Sequence, residues 1–201
     1  SRWEPYQGSH PDLVLARATR LLEPPNTLSL SVEEGALVAK GYADHEWIKT
    51  ARKMTQMIPG VTRFAEEGLI DLDLARAELE SVKRSLEQRS IQFEVGSSEI
   101  TPDQHSELIR TTAEIQRLES LTQALALPLR IEVWGHADRS GSQELNDRLI
   151  AARANEVMSA LQAAGRKNLE IADAKMSGRT AEYTRSVNFK VKPNDSASTN
   201  K

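Results

Sequence analysis

The 201-residue chain has no cysteine and few aromatic residues, and these two absences exclude several classes of function. Without cysteine there are no disulfides, no thiolate metal sites and no cysteine nucleophiles. The four histidines lie far apart in the sequence, so we expect no metal and no cofactor. Phe, Trp and Tyr make up only 4% of the residues, which leaves few side chains that could stack on nucleic-acid bases.

The chain also lacks a strong charge and a long hydrophobic run. Its formal net charge is −3, so nucleic acid is not expected as a partner, because phosphates require a basic surface. No apolar run approaches the length of a membrane span, and the N-terminus has no basic segment followed by an apolar one. We therefore expect either a cytoplasmic chain or one whose signal or anchor has been removed. Ser1 at the start, without Met, favours a piece of a longer protein.

Residues 12–70 predict a small α+β domain, which follows an irregular segment over 1–11. A helix beginning at Asp12 is expected to bury one apolar stripe before a proline pair ends it. Alternating apolar residues on both sides of Gly35 indicate a hairpin, and a second helix and a third strand follow. The predicted stripe is Leu13, Ala16, Arg17 and Leu21, and the later elements cover 27–32, 36–41, 45–57 and 61–70.

The order helix, hairpin, helix, strand resembles a BON domain, which is a small module of the cell envelope. The resemblance rests on the Gly35 turn, on Gly41 at the end of the second strand and on Pro59-Gly60-Val61 before the last strand. BON-like modules are associated with phospholipid surfaces. The net charge of −3 and the absence of a Lys/Arg cluster do not favour attraction to anionic lipid here.

Segment 71–90 has the spacing of an amphipathic linker helix. Its apolar residues are three and four positions apart, as in the seam of a coiled coil. One interpretation is a helix that packs this stripe on one of the domains. The other is a contact in a weak homodimer. The stripe consists of Leu72, Ala75, Leu79, Val82 and Leu86.

The pattern of residues 91–192 predicts a second α+β domain in the order β-α-β-α-β-β with a mixed sheet. Residues 193–201 are predicted to be a disordered tail. Its strands are indicated by alternating apolar residues and its helices by apolar residues at helical spacing. The predicted strands begin with 91–95, where Ile91, Phe93 and Val95 alternate with polar residues. The others cover 129–133, 169–176 and 187–191.

Each helix of this second domain has a signal at its start. Thr101 and Gln104 predict a capping box, and Pro102 stands where no amide hydrogen is needed. Ser140 with Gln143 is a weaker capping signal for the second helix, which is expected to run until a glycine ends it.

The most specific motif begins at Gly135. It consists of Gly135-His136-Ala137-Asp138-Arg139-Ser140-Gly141, followed by Asn146, Leu149, Arg153-Ala154, Val157 and Leu161. This stretch resembles the signature of the OmpA-like family, and the resemblance covers residues 91–192. The family binds diaminopimelate in the peptide stem of peptidoglycan through an aspartate and an arginine. The resemblance therefore implies Asp138 and Arg153 as the ligand-binding pair.

These residues also suit a free amino acid on physical grounds. Asp138 follows a strand, and Arg153 lies on the next helix, whose first turn near Ser142 presents unbonded amides. A carboxylate would take an ammonium group, and a guanidinium would hold a carboxylate in a two-toothed pair. Candidate supporting residues are Asn146, Gly141, Ser142, Ala137, Arg185 and Phe93, with Gly96 and Ser97 as candidate lining.

Simpler interpretations of the same residues remain open. Asp138 is of a type favoured in turns and helix caps, and Arg153 would pair weakly with Glu156 if it were an exposed helix residue. His136 is expected to be a structural hydrogen-bonding residue, because no nucleophile or second acid is spaced to use it as a base.

The sequence departs from the family signature at four places. Ala137 replaces a threonine, Ile150 a serine and Ser186 an arginine, and segment 179–184 is shorter than usual. None of these changes removes a member of the charged pair. They bear on the strength of binding and on which peptidoglycan stem is preferred.

The residues and the resemblance together predict a non-catalytic protein of the cell envelope, in the periplasm or at the outer membrane, that binds peptidoglycan. No nucleophile–base pair, metal cluster or phosphate loop indicates an enzyme. The alternative is an OmpA-fold module for assembly or dimerisation that does not bind peptidoglycan. A membrane anchor or a larger protein outside this chain is an expected partner.

Overall fold

A computed structural model describes residues 10–138, 142–165, 170–173 (backbone only) and 185–194. The chain divides into two compact units, Ser1–Ala77 and Glu78–Lys201. Both combine helices with a sheet, so the predicted α+β class is confirmed. The elements are α1 (Pro11–Leu22), β1 (Leu28–Glu33), β2 (Ala36–Ala43), α2 (His45–Thr55), β3 (Arg63–Asp71), α3 (Leu72–Gln88), β4 (Ser90–Gln92), α4 (Pro102–Leu125), β5 (Leu129–Gly135), α5 (Gln143–Ala163), β6 (Glu170–Asp173) and β7 (Ser186–Pro193).

The first unit is a three-stranded sheet in the order β1-β2-β3, combined with α1 and α2. Strands β1 and β2 form an antiparallel hairpin, whereas β2 and β3 are parallel and are joined through α2. The hairpin turn places Glu34 at φ 50° and Gly35 at φ 78°, the left-handed pair that a tight two-residue hairpin requires. The predicted order of helices and strands is therefore confirmed for this unit.

The buried face of α1 differs from the predicted one. Val14 and Leu22 are buried, whereas Leu13 and Leu21 are 40% and 43% exposed. Both stripes are apolar at helical spacing, so periodicity alone does not select between them. Close packing selects the stripe that contains Val14, because Val14 packs directly against Gly60. A Cβ added to Gly60 would lie 2.7 Å from Cγ2 of Val14.

The second unit has a four-stranded sheet in the order β4-β7-β5-β6. Strand β7 is antiparallel to β4 and β5, and β5 is parallel to β6, which gives the predicted mixed sheet. Helix α5 packs on β5 and α4 on β4. The core residues of β5 and β7 alternate with polar ones along each strand and are Ile131, Val133, Val187, Phe189 and Val191.

Strand β4 is shorter than the alternation of apolar residues predicted. It ends before Phe93, and Val95 is 69% exposed. The chain turns instead, with Gly96 at φ 71° and the amide of Ser97 donating to the carbonyl of Glu94 at 3.2 Å. The predicted strand over 91–95 is therefore wrong in its second half.

The start of α4 has the predicted residues but not the predicted capping box. Thr101 occupies the N-cap without a side-chain cap bond, and Pro102 is in the first turn. The side-chain oxygen of Gln104 instead accepts from the amide of Gln92 at 3.0 Å. Strand β4 lies at the sheet edge and its amide needs an acceptor, which explains why Gln104 is engaged there.

Helix α3 buries its apolar stripe within the single chain. Ala75, Leu79 and Leu86 are 5%, 4% and 0% exposed. Its C-terminal part is bonded to the second unit, where the carboxylate of Glu87 accepts from the amide of Val191 at 3.0 Å. In the described part of the chain, no helix combines the length and the apolar character that a membrane crossing needs.

Arg89, the residue after α3, forms an ion-pair cluster in the second unit. The guanidinium of Arg89 donates twice to the carboxylate of Glu114, at 2.6 Å each, and once to Glu107 at 2.8 Å. Ser85 on α3 donates to the same Glu114 at 2.7 Å. The end of α3 is thus tied directly to α4.

Candidate functional site

The predicted charged pair lies where β5 ends and α5 begins. Gly135 closes the strand, and a Cβ at this position would lie 2.3 Å from the backbone oxygen of Ile150, so only glycine lets α5 approach this closely. The amide of His136 donates to the carbonyl of Ser186 at 2.7 Å and continues the pairing with β7. Asp138 therefore follows a strand end that is hydrogen-bonded to β7 and closely packed against α5.

The first turn of α5 holds the loop that carries Asp138. Ser142 caps the helix by accepting from the amide of Leu145 at 3.3 Å, so the N-cap is Ser142 and not Ser140. Asn146 is buried, and its side-chain amide donates to the carbonyl of Asp138 at 3.2 Å. Arg139, Ser140 and the candidate Gly141 lie outside the described residues.

Arg153 is buried beneath the site and binds three backbone segments. It is only 1% exposed. Its Nε donates to the carbonyl of Ser97 at 2.8 Å, Nη1 to that of His136 at 2.9 Å and Nη2 to that of Glu94 at 3.2 Å. An exposed helix residue paired with Glu156 is therefore the wrong interpretation. Arg153 joins the turn after β4 to the end of β5.

The surroundings of Arg153 are apolar on one side and charged on the other. The ring of Phe93 lies 5.4 Å from its guanidinium carbon, within the range of a cation–π interaction. Burial lowers the pKa of Arg153 from its usual value, the charge of Asp138 raises it, and the charge of Arg185 lowers it further. Because arginine stays protonated in proteins, the site contains a buried positive charge.

Asp138 forms its ion pair with Arg185. The Nη1 of Arg185 lies 3.5 Å from Oδ2 of Asp138, and the two side chains are 39% and 24% exposed. Arg185 has φ 52°, in the left-handed region that long side chains rarely occupy. Its Nε is buried and has no hydrogen-bond partner among the described residues, while its carbonyl accepts from the amide of Phe93 at 2.7 Å.

His136 and Ala137, which precede Asp138 in the motif, are both buried. His136 is 6% exposed, and burial lowers the pKa of its imidazole, so the ring is neutral at pH 7. Ala137, where the family has threonine, is 8% exposed and supplies no hydroxyl. Across the described ranges, no group of three or more His, Asp or Glu side chains is arranged to hold a metal ion.

The structure brings together most of the residues that the sequence singled out. Bonds or close contacts connect Asp138, Arg153, Asn146, Ser142, Arg185 and Phe93 into one site. The backbone carbonyls of Glu94 and His136 are the members that sequence reasoning missed. Backbone acceptors carry no residue-type signal, so no pattern in the sequence would have found them.

Comparison with known proteins gives one family. The model of the OmpA family matches residues 92–194, about half of the chain. No curated protein matches the sequence. Among solved structures, the peptidoglycan-associated lipoprotein from Burkholderia pseudomallei is 21% identical with a TM-score of 0.40, over 52% of this chain and 91% of that one.

Two other structures have similar values. The periplasmic domain of MotB from Helicobacter pylori is 17% identical with a TM-score of 0.40, over 53% of this chain and 79% of that one. The cell wall anchor of the T6SS from Pseudomonas aeruginosa is 19% identical with a TM-score of 0.34, over 61% of this chain and 97% of that one.

Proposed function

The chain belongs to the OmpA family through residues 92–194, and on that premise we propose that this domain binds the peptide stem of peptidoglycan and catalyses no reaction. The observation that carries the proposal is a carboxylate, Asp138, that pairs with Arg185 and whose charge acts on the buried guanidinium of Arg153. An amino acid with a free ammonium and a free carboxylate has the complementary charges. A diaminopimelate-type residue in the stem is such an amino acid.

In this proposal Asp138 receives the ammonium group of the ligand. Its side chain is 24% exposed and therefore reachable from solvent. Arg153 contributes to binding of the carboxylate. Its three bonds to backbone carbonyls use Nε and one N–H of each Nη, which leaves a second N–H on both Nη atoms.

We propose a cell-envelope location on the same grounds. Peptidoglycan lies in the envelope, so a protein that holds its stem works in the periplasm or at the outer membrane. The chain would then anchor a larger protein or a membrane-attached segment to the cell wall.

Binding to whole peptidoglycan tests the proposed function. The full chain and its Asp138→Asn variant are mixed with purified sacculi and sedimented. We expect the wild type in the pellet and most of the variant in the supernatant, since the variant keeps the shape of Asp138 but not its charge. Glu144→Gln is the matched control, because this carboxylate is in the first turn of α5, the helix that follows the Asp138 loop, and is 78% exposed. A wild type that stays in the supernatant would favour an assembly module without peptidoglycan binding.

That alternative, a dimerisation module, has less support. The apolar stripe of α3 was the sequence-based candidate for a homodimer contact, and Leu79 and Leu86 are already buried within one chain. Of the two interpretations of this helix, we favour packing within the chain. Replacing Leu79 by Asp should lower thermal stability without changing the mass of the protein in sedimentation.

We also propose that the first unit is a BON-like module. Its support is the order α1-β1-β2-α2-β3 and the position of Gly41, where an added Cβ would lie 2.2 Å from the carbonyl oxygen of Thr27. Sedimentation of the full chain with phospholipid vesicles tests the lipid association that this implies. We expect little dependence on anionic lipid, because the net charge is −3.

A further inference from the structure

Arg185 combines three features that are unfavourable for stability. It has φ 52°, where a residue with a long side chain is strained. Its Nε is buried without a hydrogen-bond partner among the described residues. Its ion pair to Asp138, at 3.5 Å, is long and partly exposed. Strained residues and unsatisfied buried donors persist mainly where function requires them.

Arg185 and Arg153 differ in how freely they can meet a ligand. Arg153 is 1% exposed and its guanidinium is bonded to three backbone carbonyls. The side chain of Arg185 is 39% exposed and its terminal nitrogen contacts only the carboxylate of Asp138 among the ion pairs of the described residues. Of the two guanidinium groups, that of Arg185 is therefore the one that can move without breaking the walls of the site.

We infer that Arg185 is the specificity-determining residue of this site. Without ligand it neutralises Asp138. When a ligand ammonium takes Asp138, Arg185 transfers to the carboxylate of the same ligand. This inference rests on the proposed function and adds to it a requirement for both charges on one ligand.

The exchange favours ligands that carry both groups. A ligand with ammonium and carboxylate replaces one ion pair by two. A ligand with ammonium alone displaces Arg185 and gives it no new partner. Breaking a partly exposed ion pair costs at most about five-fold in affinity. A hydrogen-bonded contact to the ligand carboxylate adds roughly ten- to a hundred-fold.

Calorimetry with two peptides tests the inference on the full chain. One is a soluble tripeptide stem that ends in diaminopimelate, and the other is the same peptide amidated at the diaminopimelate carboxylate whose carbon neighbour carries the free amine. Arg185→Gln should weaken binding of the first peptide at least ten-fold, because the carboxylate contact is lost. It should leave binding of the amidated peptide unchanged or strengthen it by up to about five-fold, because Arg185 no longer competes with the ligand ammonium for Asp138.

Arg185→Gly separates this role from a structural one. Glycine accepts φ 52° without strain and keeps the carbonyl that the amide of Phe93 uses. This variant should show the same binding pattern as Arg185→Gln and melt at or above the wild-type temperature. Equal weakening of both peptides, or a lower melting temperature with the same weakening, would overturn the inference.

The outcome for the wild type distinguishes the two proposals. If the wild type binds the unmodified peptide and neither Arg185 variant changes the binding of either peptide, the inference is overturned and the proposed function stands. If the wild type binds neither peptide at millimolar concentration, the proposed function fails and the inference fails with it.

Discussion

Replacing Arg153 by methionine tests whether the buried guanidinium holds the site together. Methionine keeps a long unbranched side chain and removes every donor. The carbonyl of His136 would lose its partner in a buried position, and those of Ser97 and Glu94 in partly buried ones. An unpaired buried acceptor costs about 1–3 kcal/mol and the partly buried ones less, so the free energy of unfolding should fall by about 3–4 kcal/mol.

The loss should appear in the unfolding of the second unit. In a unit of this size it corresponds to a melting temperature about 10–15 °C lower. Trp134 is the tryptophan of that unit, whereas Trp3 and Trp47 belong to the first. Tryptophan fluorescence in a background with Trp3→Phe and Trp47→Phe therefore follows the second unit alone during heating.

Arg148→Met is the matched control for this experiment. Arg148 lies on the same helix, is 76% exposed and pairs with Glu144 one turn earlier. Its loss should change the free energy of unfolding by less than about 0.5 kcal/mol. If Arg153→Met melted within about 3 °C of the wild type, the three hydrogen bonds of Arg153 would not stabilise the second unit, and the reasoning would be refuted.

Three further predictions concern other contacts of the second unit. Burial raises the pKa of Glu114. The hydrogen bonds that Arg89 and Ser85 donate to its carboxylate lower the pKa by more, so it is below its usual value. The pair therefore stabilises the fold above the usual glutamate pKa of about 4.3, and its contribution is lost as the pH falls through the lower folded value. In urea titrations the stability gap between wild type and Arg89→Gln should shrink below that pH, and a constant gap from neutral to strongly acidic pH would contradict this. Gly135→Ala should cost about 2–3 kcal/mol, because its methyl group would lie 2.3 Å from a backbone oxygen of α5, and an unchanged melting temperature would show that the strand end has room. A fragment of residues 78–201 should melt cooperatively and at a higher temperature than one of residues 90–201, which lacks Arg89, and equal melting temperatures would show that α3 adds nothing.

The spacing of residues on α5 was a good guide to its orientation. Asn146, Arg153 and Val157 of the motif are seven and four positions apart, which places them on one side of a helix, and all three are buried. The bonds that Arg153 makes were not predictable, because its acceptors at Ser97 and Glu94 are 56 and 59 positions away in the sequence. Helical periodicity gives the direction of a side chain but not the loop that it meets.

Local capping signals failed where a distant group competed for the same atom. Thr101 and Gln104 have the spacing of a capping box, but the edge amide of Gln92 takes the side-chain oxygen of Gln104. Arg185 is a similar case for backbone conformation. A left-handed φ is expected of glycine or asparagine. The sequence therefore did not indicate that Arg185 would have a φ of 52°.

The central claim is that Asp138 receives the free ammonium of the stem amino acid. The most direct measurement is calorimetry of a soluble diaminopimelate-containing muropeptide, with and without acetylation of that amine, binding to wild type and to Asp138→Asn. We expect the acetylation and the substitution each to weaken binding roughly ten- to a hundred-fold, and the two together no more than either alone. If the folded Asp138→Asn variant bound the unmodified muropeptide as tightly as the wild type, the claim would be wrong.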